Sequence, residues 1–143
     1  MRIRLLLLGK TRRPEIRALL DDYTKRISRF AEIELQELRG DSPSAMRRLE
    51  LPPGATVVLL DAAGKHLDSP AFARWLSGCR DRGVRQIDFL CGAAAGFPEA
   101  LERRATTRIS LSPLTFSHEL ARVMLVEQLY RAFALLAGHP YPK

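Results

Sequence analysis

Late in the chain stand three side chains able to move a proton or stack on a base: His118, His139 and Tyr141. A neutral imidazole accepts a proton near neutral pH. A lone histidine is nevertheless more often a cap or hydrogen-bonding residue than a base. The ring of Tyr141 suits stacking on a nucleobase, and it suits covering a subunit edge equally well. No histidine, cysteine or carboxylate spacing resembles a metal site, and no serine sits in a nucleophile-elbow sequence. Neither metal chemistry nor a serine nucleophile is indicated.

Two stretches of small residues are candidate binding loops. Gly92-Ala93-Ala94-Ala95-Gly96 lacks side-chain bulk, so a ligand can approach its backbone. It matches neither a dinucleotide fingerprint nor a P-loop, and an ordinary tight strand-to-helix turn explains it as well. Ser112-Pro113-Leu114-Thr115 is stiffened by proline and leads to the candidate caps Thr115 and Ser117. The free amides of a helix start there could take a ligand oxygen, or simply be capped.

The elements that must position these groups follow from apolar periodicity. Continuous runs at Ile3 to Leu8 and Thr56 to Leu60 predict strands buried on both faces, ending at Gly9 and Asp61. Ile33, Leu35 and Leu38 predict a strand with one wetter face, Ile87, Phe89 and Leu90 another strand despite Asp88, and Thr107 to Ser110 a short one. Helices are predicted from Pro14 through Ile16, Leu19, Leu20, Tyr23 and Ile27, from Ser69-Pro70 to near Gly83, from Pro98 to Arg104, and from about Thr115 to Leu136. Gly40 to Pro53 is a basic, loosely specified stretch with a helical turn expected around Ala45 to Leu49. It suits RNA contacts or a solvated loop. Strands alternating with helices indicate a single α/β domain over residues 1–143, with a mainly parallel sheet flanked by helices. Such sheets bind ligands beyond the carboxyl ends of their strands, here Gly9-Lys10, Asp61 to Lys65, Gly92 to Gly96 and Leu111 to Thr115.

The last helix is apolar on three sides. Ala121, Leu125, Leu129, Ala132 and Leu136 form one stripe, Val123, Val126, Tyr130 and Phe133 a second, and Leu120, Met124 and Leu135 a third. One sheet face cannot cover all of them, so a homodimer is expected, the alternative being a helix wedged inside the monomer. Arg122, Glu127, Gln128 and Arg131 interrupt this cover and need partners, either ion pairs or RNA phosphates.

Apolar residues are 46% of the 143 and charged residues 27%, which excludes a disordered chain, and the net charge of +7 favours a polyanionic partner. Cys79 and Cys91 lie in no ligand cluster and read as partly buried thiols of a reducing compartment. The opening apolar run is too short for a signal peptide and meets Lys10, Arg12 and Arg13, and no segment approaches a membrane span. A cytoplasmic protein is expected.

Several segments in order are far more specific than any one. They are Val57-Val-Leu-Leu-Asp-Ala-Ala-Gly-Lys65, the Gly92 to Gly96 loop, Ile109-Ser-Leu-Ser-Pro-Leu-Thr115, His118-Glu-Leu-Ala-Arg-Val123, Leu125-Val-Glu-Gln-Leu-Tyr-Arg-Ala-Phe133 and His139-Pro-Tyr141. Together they resemble the bacterial large-subunit (23S) ribosomal RNA pseudouridine-N3 methyltransferases of the SPOUT class, over nearly the whole chain. The resemblance implies a carboxyl-terminal trefoil knot, which ordinary chain rules would never suggest. It also implies a homodimer, S-adenosylmethionine as cofactor, no metal, and ribosomal RNA within the assembled ribosome as partner.

By the same resemblance Leu60, Gly64, Gly92 and Gly96 flank the cofactor, while Leu111, Ser112, Pro113, Leu114, Thr115 and Phe116 enclose it. His118, Arg122 and Tyr141 are implied as catalytic, and Tyr130, Arg131, His139 and Lys143 as substrate-binding. The reaction implied is methyl transfer to N3 of a pseudouridine, with a histidine, a water relay or solvent taking the N3 proton. Two departures from the family pattern stand out. Ala93 and Ala95 replace a glycine and an acidic residue of the loop, and Pro142 follows Tyr141 where the family has histidine. The competing readings are a noncatalytic RNA-binding or ribosome-associated protein that kept the fold, and a methyltransferase for another uridine or pseudouridine.

Overall fold

The computed structural model describes residues 1–39, 49–92 and 96–141. In chain order the elements are β1 (Arg2–Leu8), α1 (Pro14–Ile27), β2 (Glu32–Leu38), β3 (Thr56–His66), α2 (Ser69–Asp81), β4 (Gln86–Cys91), α3 (Glu99–Glu102), β5 (Thr107–Ser110) and α4 (His118–Leu136). The five strands form one sheet in the order β2-β1-β4-β3-β5, and every pair is parallel. Residues 3–8 of β1 are buried throughout, because β1 lies inside the sheet between β2 and β4 and both sheet faces are covered.

Alternate side chains enter two cores. Ile3, Leu5, Leu7, Val58, Ile87, Phe89 and Ile109 meet the helices α1, α2 and α4 on one face. Leu6, Leu8, Val57, Leu59 and Leu90 meet Leu38, Leu49, Leu51 and Leu101 on the other. Asp88, which breaks the apolar pattern of β4, is fully buried opposite Arg4 of β1 and takes its Nε and Nη2 at 2.8 and 3.0 Å. Arg4 also donates to the carbonyl of Glu50 at 2.6 Å. The pair satisfies both charges inside the sheet layer, where a single ion would be costly.

Several expectations change in three dimensions. β3 does not stop at Leu60. It resumes, and both Leu60 and Lys65 pair with Ile109 of β5 across an excursion at residues 61–64. Leu19, placed on the packed face of α1 by periodicity, is 42% exposed, whereas Ile16, Leu20 and Ile27 are buried. The short helix expected from Pro98 to Arg104 contracts to Glu99–Glu102. The turn expected around Ala45 lies outside the described residues, but Leu49 at its end is buried.

The helix starts are fixed by different devices. Asp68 accepts the amide of Ala71 at 2.8 Å and caps α2, and Ser117 accepts that of Leu120 at 3.3 Å and caps α4. Arg13 offers α1 no side-chain cap. Its place is taken by Glu119 of α4, whose Oε1 accepts the amides of Arg12 and Arg13 at 3.3 and 3.1 Å. These bonds hold the Glu119 carboxyl below its ordinary pKa. Within α4, Leu125, Val126, Leu129, Tyr130, Ala132 and Phe133 are buried inside the monomer, so two of its three apolar stripes are largely wedged there. Leu120, Met124 and Leu135 remain 40–54% exposed.

Candidate functional site

At the carboxyl edge of the sheet, three strand ends and the start of α4 enclose a cavity of about 620 Å³, within the range typical of small-molecule sites. β3 contributes Leu60, Asp61 and Ala62, β4 ends in it with Cys91 and Gly92, and the segment after β5 supplies Leu111, Ser112, Leu114, Thr115 and Phe116. Gly96, Phe97 and Glu102 close one side, and Ser117, His118 and Ala121 another. The apolar walls come from Leu60, Phe97, Leu111, Leu114 and Phe116. Leu114, at 73% exposure, is the most open large apolar side chain described.

Local geometry explains why these chain segments converge. Ser110 Oγ donates to the carbonyl of Ser112 at 2.9 Å and Ser112 Oγ accepts the amide of Leu114 at 2.9 Å, folding the segment after β5 into a turn around Pro113. Pro113 itself does not line the cavity. Gly64 lies beside it rather than in it. A Cβ there would sit 2.7 Å from the carbonyl carbon of Arg108 and 2.8 Å from the amide nitrogen of Ile109, so only glycine lets the excursion press on β5. Gly96 has φ +87°, a backbone that favours glycine. Residues Ala93 and Ala95 lie outside the described residues.

The rim carries negative charge. Arg108 donates from Nη1 to Asp61 at 3.0 Å and lies 3.6 Å from Glu102, so one guanidinium serves two carboxylates. The amide of Ala63, with help from Arg108, holds the Asp61 carboxyl below its ordinary pKa. Burial pushes the Cys91 thiol up to about 12, so it stays protonated at neutral pH. Asp61 directly follows the apolar run of β3 that is visible in the sequence, whereas Glu102 and Phe97 carry no sequence signal and join the site only through the fold.

Of the residues singled out for catalysis, His118 lines this cavity as the first, exposed residue of α4. Arg122 does not. Its fully buried guanidinium turns to the end of β1 and donates to Leu8 O at 3.1 Å, Gly9 O at 2.9 Å and Thr11 Oγ1 at 2.6 Å. Burial lowers its pKa, but an arginine remains charged. Tyr130, Arg131 and Tyr141 gather three turns further along α4, about 18 Å from His118 at the helical rise of 1.5 Å per residue. Tyr141 packs edge-on against Tyr130, with centroids 4.6 Å apart, and its hydroxyl reaches Glu127 at 3.1 Å and Tyr23 at 3.3 Å. Desolvation, with the Glu127 carboxylate, pushes the Tyr141 pKa up. Arg131 bonds Glu127 at 3.0 Å and lies over the Tyr141 ring. His139 is exposed beyond the helix, and Lys143 lies outside the described residues. One chain therefore brings His118 to the loops that line the cavity, and gathers Tyr130, Arg131 and Tyr141 in a second cluster.

The comparisons with known proteins agree along the whole chain. A family model described as "Predicted SPOUT methyltransferase" matches residues 1–142. The chain is 43% identical over 151 aligned positions to a protein of Pelobacter propionicus named ribosomal RNA large subunit methyltransferase H, covering 99% of each. It is 39% identical over 144 positions to the protein of that name from Koribacter versatilis, covering 99% of this chain and 97% of the other. Among solved structures, a probable methylase family protein from Haemophilus influenzae superposes with a TM-score of 0.58 at 9% identity, over 99% of this chain and 70% of that one, which shows a shared fold. A parallel sheet opening into a glycine-rimmed cavity and an end-to-end family match lead to one conclusion: this chain belongs to the SPOUT methyltransferase family.

Proposed function

We propose that the protein transfers a methyl group from S-adenosylmethionine to N3 of a pseudouridine in 23S ribosomal RNA, on assembled ribosomes in the cytoplasm and as a homodimer with a knotted carboxyl-terminal segment. The observation that carries the reading is the full-length identity of about 40% to relatives named as ribosomal RNA large subunit methyltransferases. The cavity suits such a donor. Leu60, Leu111, Leu114 and Phe116 offer apolar walls to an adenosyl group, and Asp61 and Glu102 offer negative charge to a cationic ligand. The exposed Leu120, Met124 and Leu135 stripe of α4 supports self-association.

When bound, S-adenosylmethionine supplies an electrophilic methyl on a positively charged sulfur. The chain's own contribution is positioning. The stiff turn around Pro113 and the Gly64 excursion hold the cavity walls, which orient the donor and exclude water. His118, which lines the cavity and is exposed, is the side chain assigned to accept the proton leaving N3 at an imidazole nitrogen. Tyr141, Arg131, His139 and Lys143 contact the RNA, reaching a neighbouring subunit's cavity in the dimer, while the buried Tyr130 supports the Tyr141 ring from beneath.

Calorimetry with S-adenosylmethionine, followed by mass-spectrometric mapping of the methylated nucleotide in matched unmodified ribosomes, tests this. A single N3-methylated pseudouridine is the expected product. RNA binding without donor binding would favour a noncatalytic protein, and methylation at another uridine or pseudouridine would reassign the substrate.

A further inference from the structure

A second cavity lies at the other end of the sheet. It measures about 780 Å³ and opens where β1, β2 and β4 begin and where α1, α2 and α4 finish. Along the 19-residue α4 this end lies about 27 Å from His118, so within one chain it is separate from the cavity just described. Its floor is apolar. Phe30 and Phe133 stack with an interplanar angle of 4°, flanked by Val84 and Leu136. Its rim is basic, with Arg2, Arg80 and Arg85 against Glu32. Arg2 bonds Glu34 at 2.7 Å, but neither Arg80 nor Arg85 has a carboxylate partner among the described residues.

A neighbouring depression of about 330 Å³ continues this surface through Lys25, Arg26, Arg29, Asp22 and Tyr130. Part of this charge has a local purpose, since cations complement the negative ends of helices. Three helix termini amount to about 1.5 negative charges. The six cations Arg2, Lys25, Arg26, Arg29, Arg80 and Arg85 exceed the three carboxylates Asp22, Glu32 and Glu34 by three, about twice what the termini call for.

We propose that this surface is a second contact for RNA, with Arg80 and Arg85 holding backbone phosphates beside the apolar shoulder of Phe30. It rests on the reading of the protein as an RNA enzyme and extends it, because a site remote from the donor cavity of its own chain recognises the backbone of the RNA rather than the reacting base. Guanidinium groups match phosphate geometry, and an aromatic face accepts any base.

The test is fluorescence anisotropy with a fluorescein-labelled twelve-nucleotide oligouridylate, from 50 to 200 mM KCl and without donor. Three proteins are compared: the unaltered chain, the double variant Arg80→Ala/Arg85→Ala, and the control Arg74→Ala/Arg103→Ala, which removes the same charge from exposed positions elsewhere. Loss of two phosphate contacts should weaken binding roughly tenfold at 100 mM salt and reduce the slope of log affinity against log salt by about 1.4. The control should change less than twofold, and donor affinity by calorimetry should be equal in all three. Equal losses in both double variants, or no binding of the oligonucleotide by the unaltered protein, would overturn the proposal. The probe contains neither pseudouridine nor donor, so that outcome leaves the methyl-transfer experiment to stand or fall separately.

Discussion

Arg122 of α4 and Thr11, 111 residues earlier, are joined by a 2.6 Å hydrogen bond from Nη1 to the threonine hydroxyl in a fully buried setting. With two further bonds to Leu8 and Gly9 carbonyls, Arg122 fastens the last helix to the end of the first strand. Replacing it with methionine strands a hydroxyl and two carbonyl oxygens in the interior, at a cost of about 3 kcal/mol. Urea unfolding of Arg122→Met should show that loss and Arg122→Lys a smaller one. A midpoint unchanged in both would show the clamp to be energetically idle.

Gly64→Ala drives a Cβ into the Arg108–Ile109 peptide at 2.7–2.8 Å. Because the atoms met are backbone, β3 and β5 must part, costing about 1–3 kcal/mol and reshaping the cavity beside them. Donor affinity measured by calorimetry should fall about tenfold, equivalent to about 1.4 kcal/mol. Full retention of affinity would place the excursion outside the ligand's reach.

Removal of one member of the Arg4–Asp88 pair leaves an uncompensated charge in the sheet. Asp88→Ala should lose about 3–5 kcal/mol, and the double variant Arg4→Met/Asp88→Leu should lose less than that single change. The ordering of the two midpoints in denaturant is the measurement, and the reverse order would contradict an interior dominated by desolvation.

Glu119 carries a pH dependence of defined sign. Its folded pKa lies below the ordinary value because the Arg13 and Arg12 amides bond the ionised form. The stability it contributes is present above the unfolded pKa of about 4.3 and is lost as pH falls through the lower, folded value. Glu119→Gln should therefore flatten the acid limb of a plot of unfolding free energy against pH from 6 to 3. Parallel limbs for the two proteins would exclude the cap as the source.

His118→Asn should slow methyl transfer about a hundredfold if the imidazole takes the N3 proton, with donor affinity within twofold of the unaltered protein. Matched losses of transfer and of donor binding would make it a wall of the cavity and nothing more.

Much of the architecture was legible because burial dictates residue type. The continuous apolar runs in β1 and β3, the Ser69-Pro70 start of α2 and the Ser117 cap of α4 each obey a local rule, and the parallel sheet follows from their alternation. Asp88 looked like a defect in β4 because its partner, Arg4, is 84 residues away. The third stripe of α4 was apolar in the sequence, but which stripes the monomer covers depended on where α1 and α2 sit.

Residue order alone yields the number and kind of most elements, the basic charge, the small-residue loops and, through several motifs in order, the family to which the chain is similar. It took the folded chain to turn His118 to the cavity and Arg122, four residues on, away from it to grip Thr11. Folding also brought Glu102 and Asp61 to one guanidinium, and Arg80 and Arg85 to one rim. Periodicity fixes which side of its own element a residue occupies. What that side meets depends on contacts between segments far apart in the chain, which no local pattern encodes.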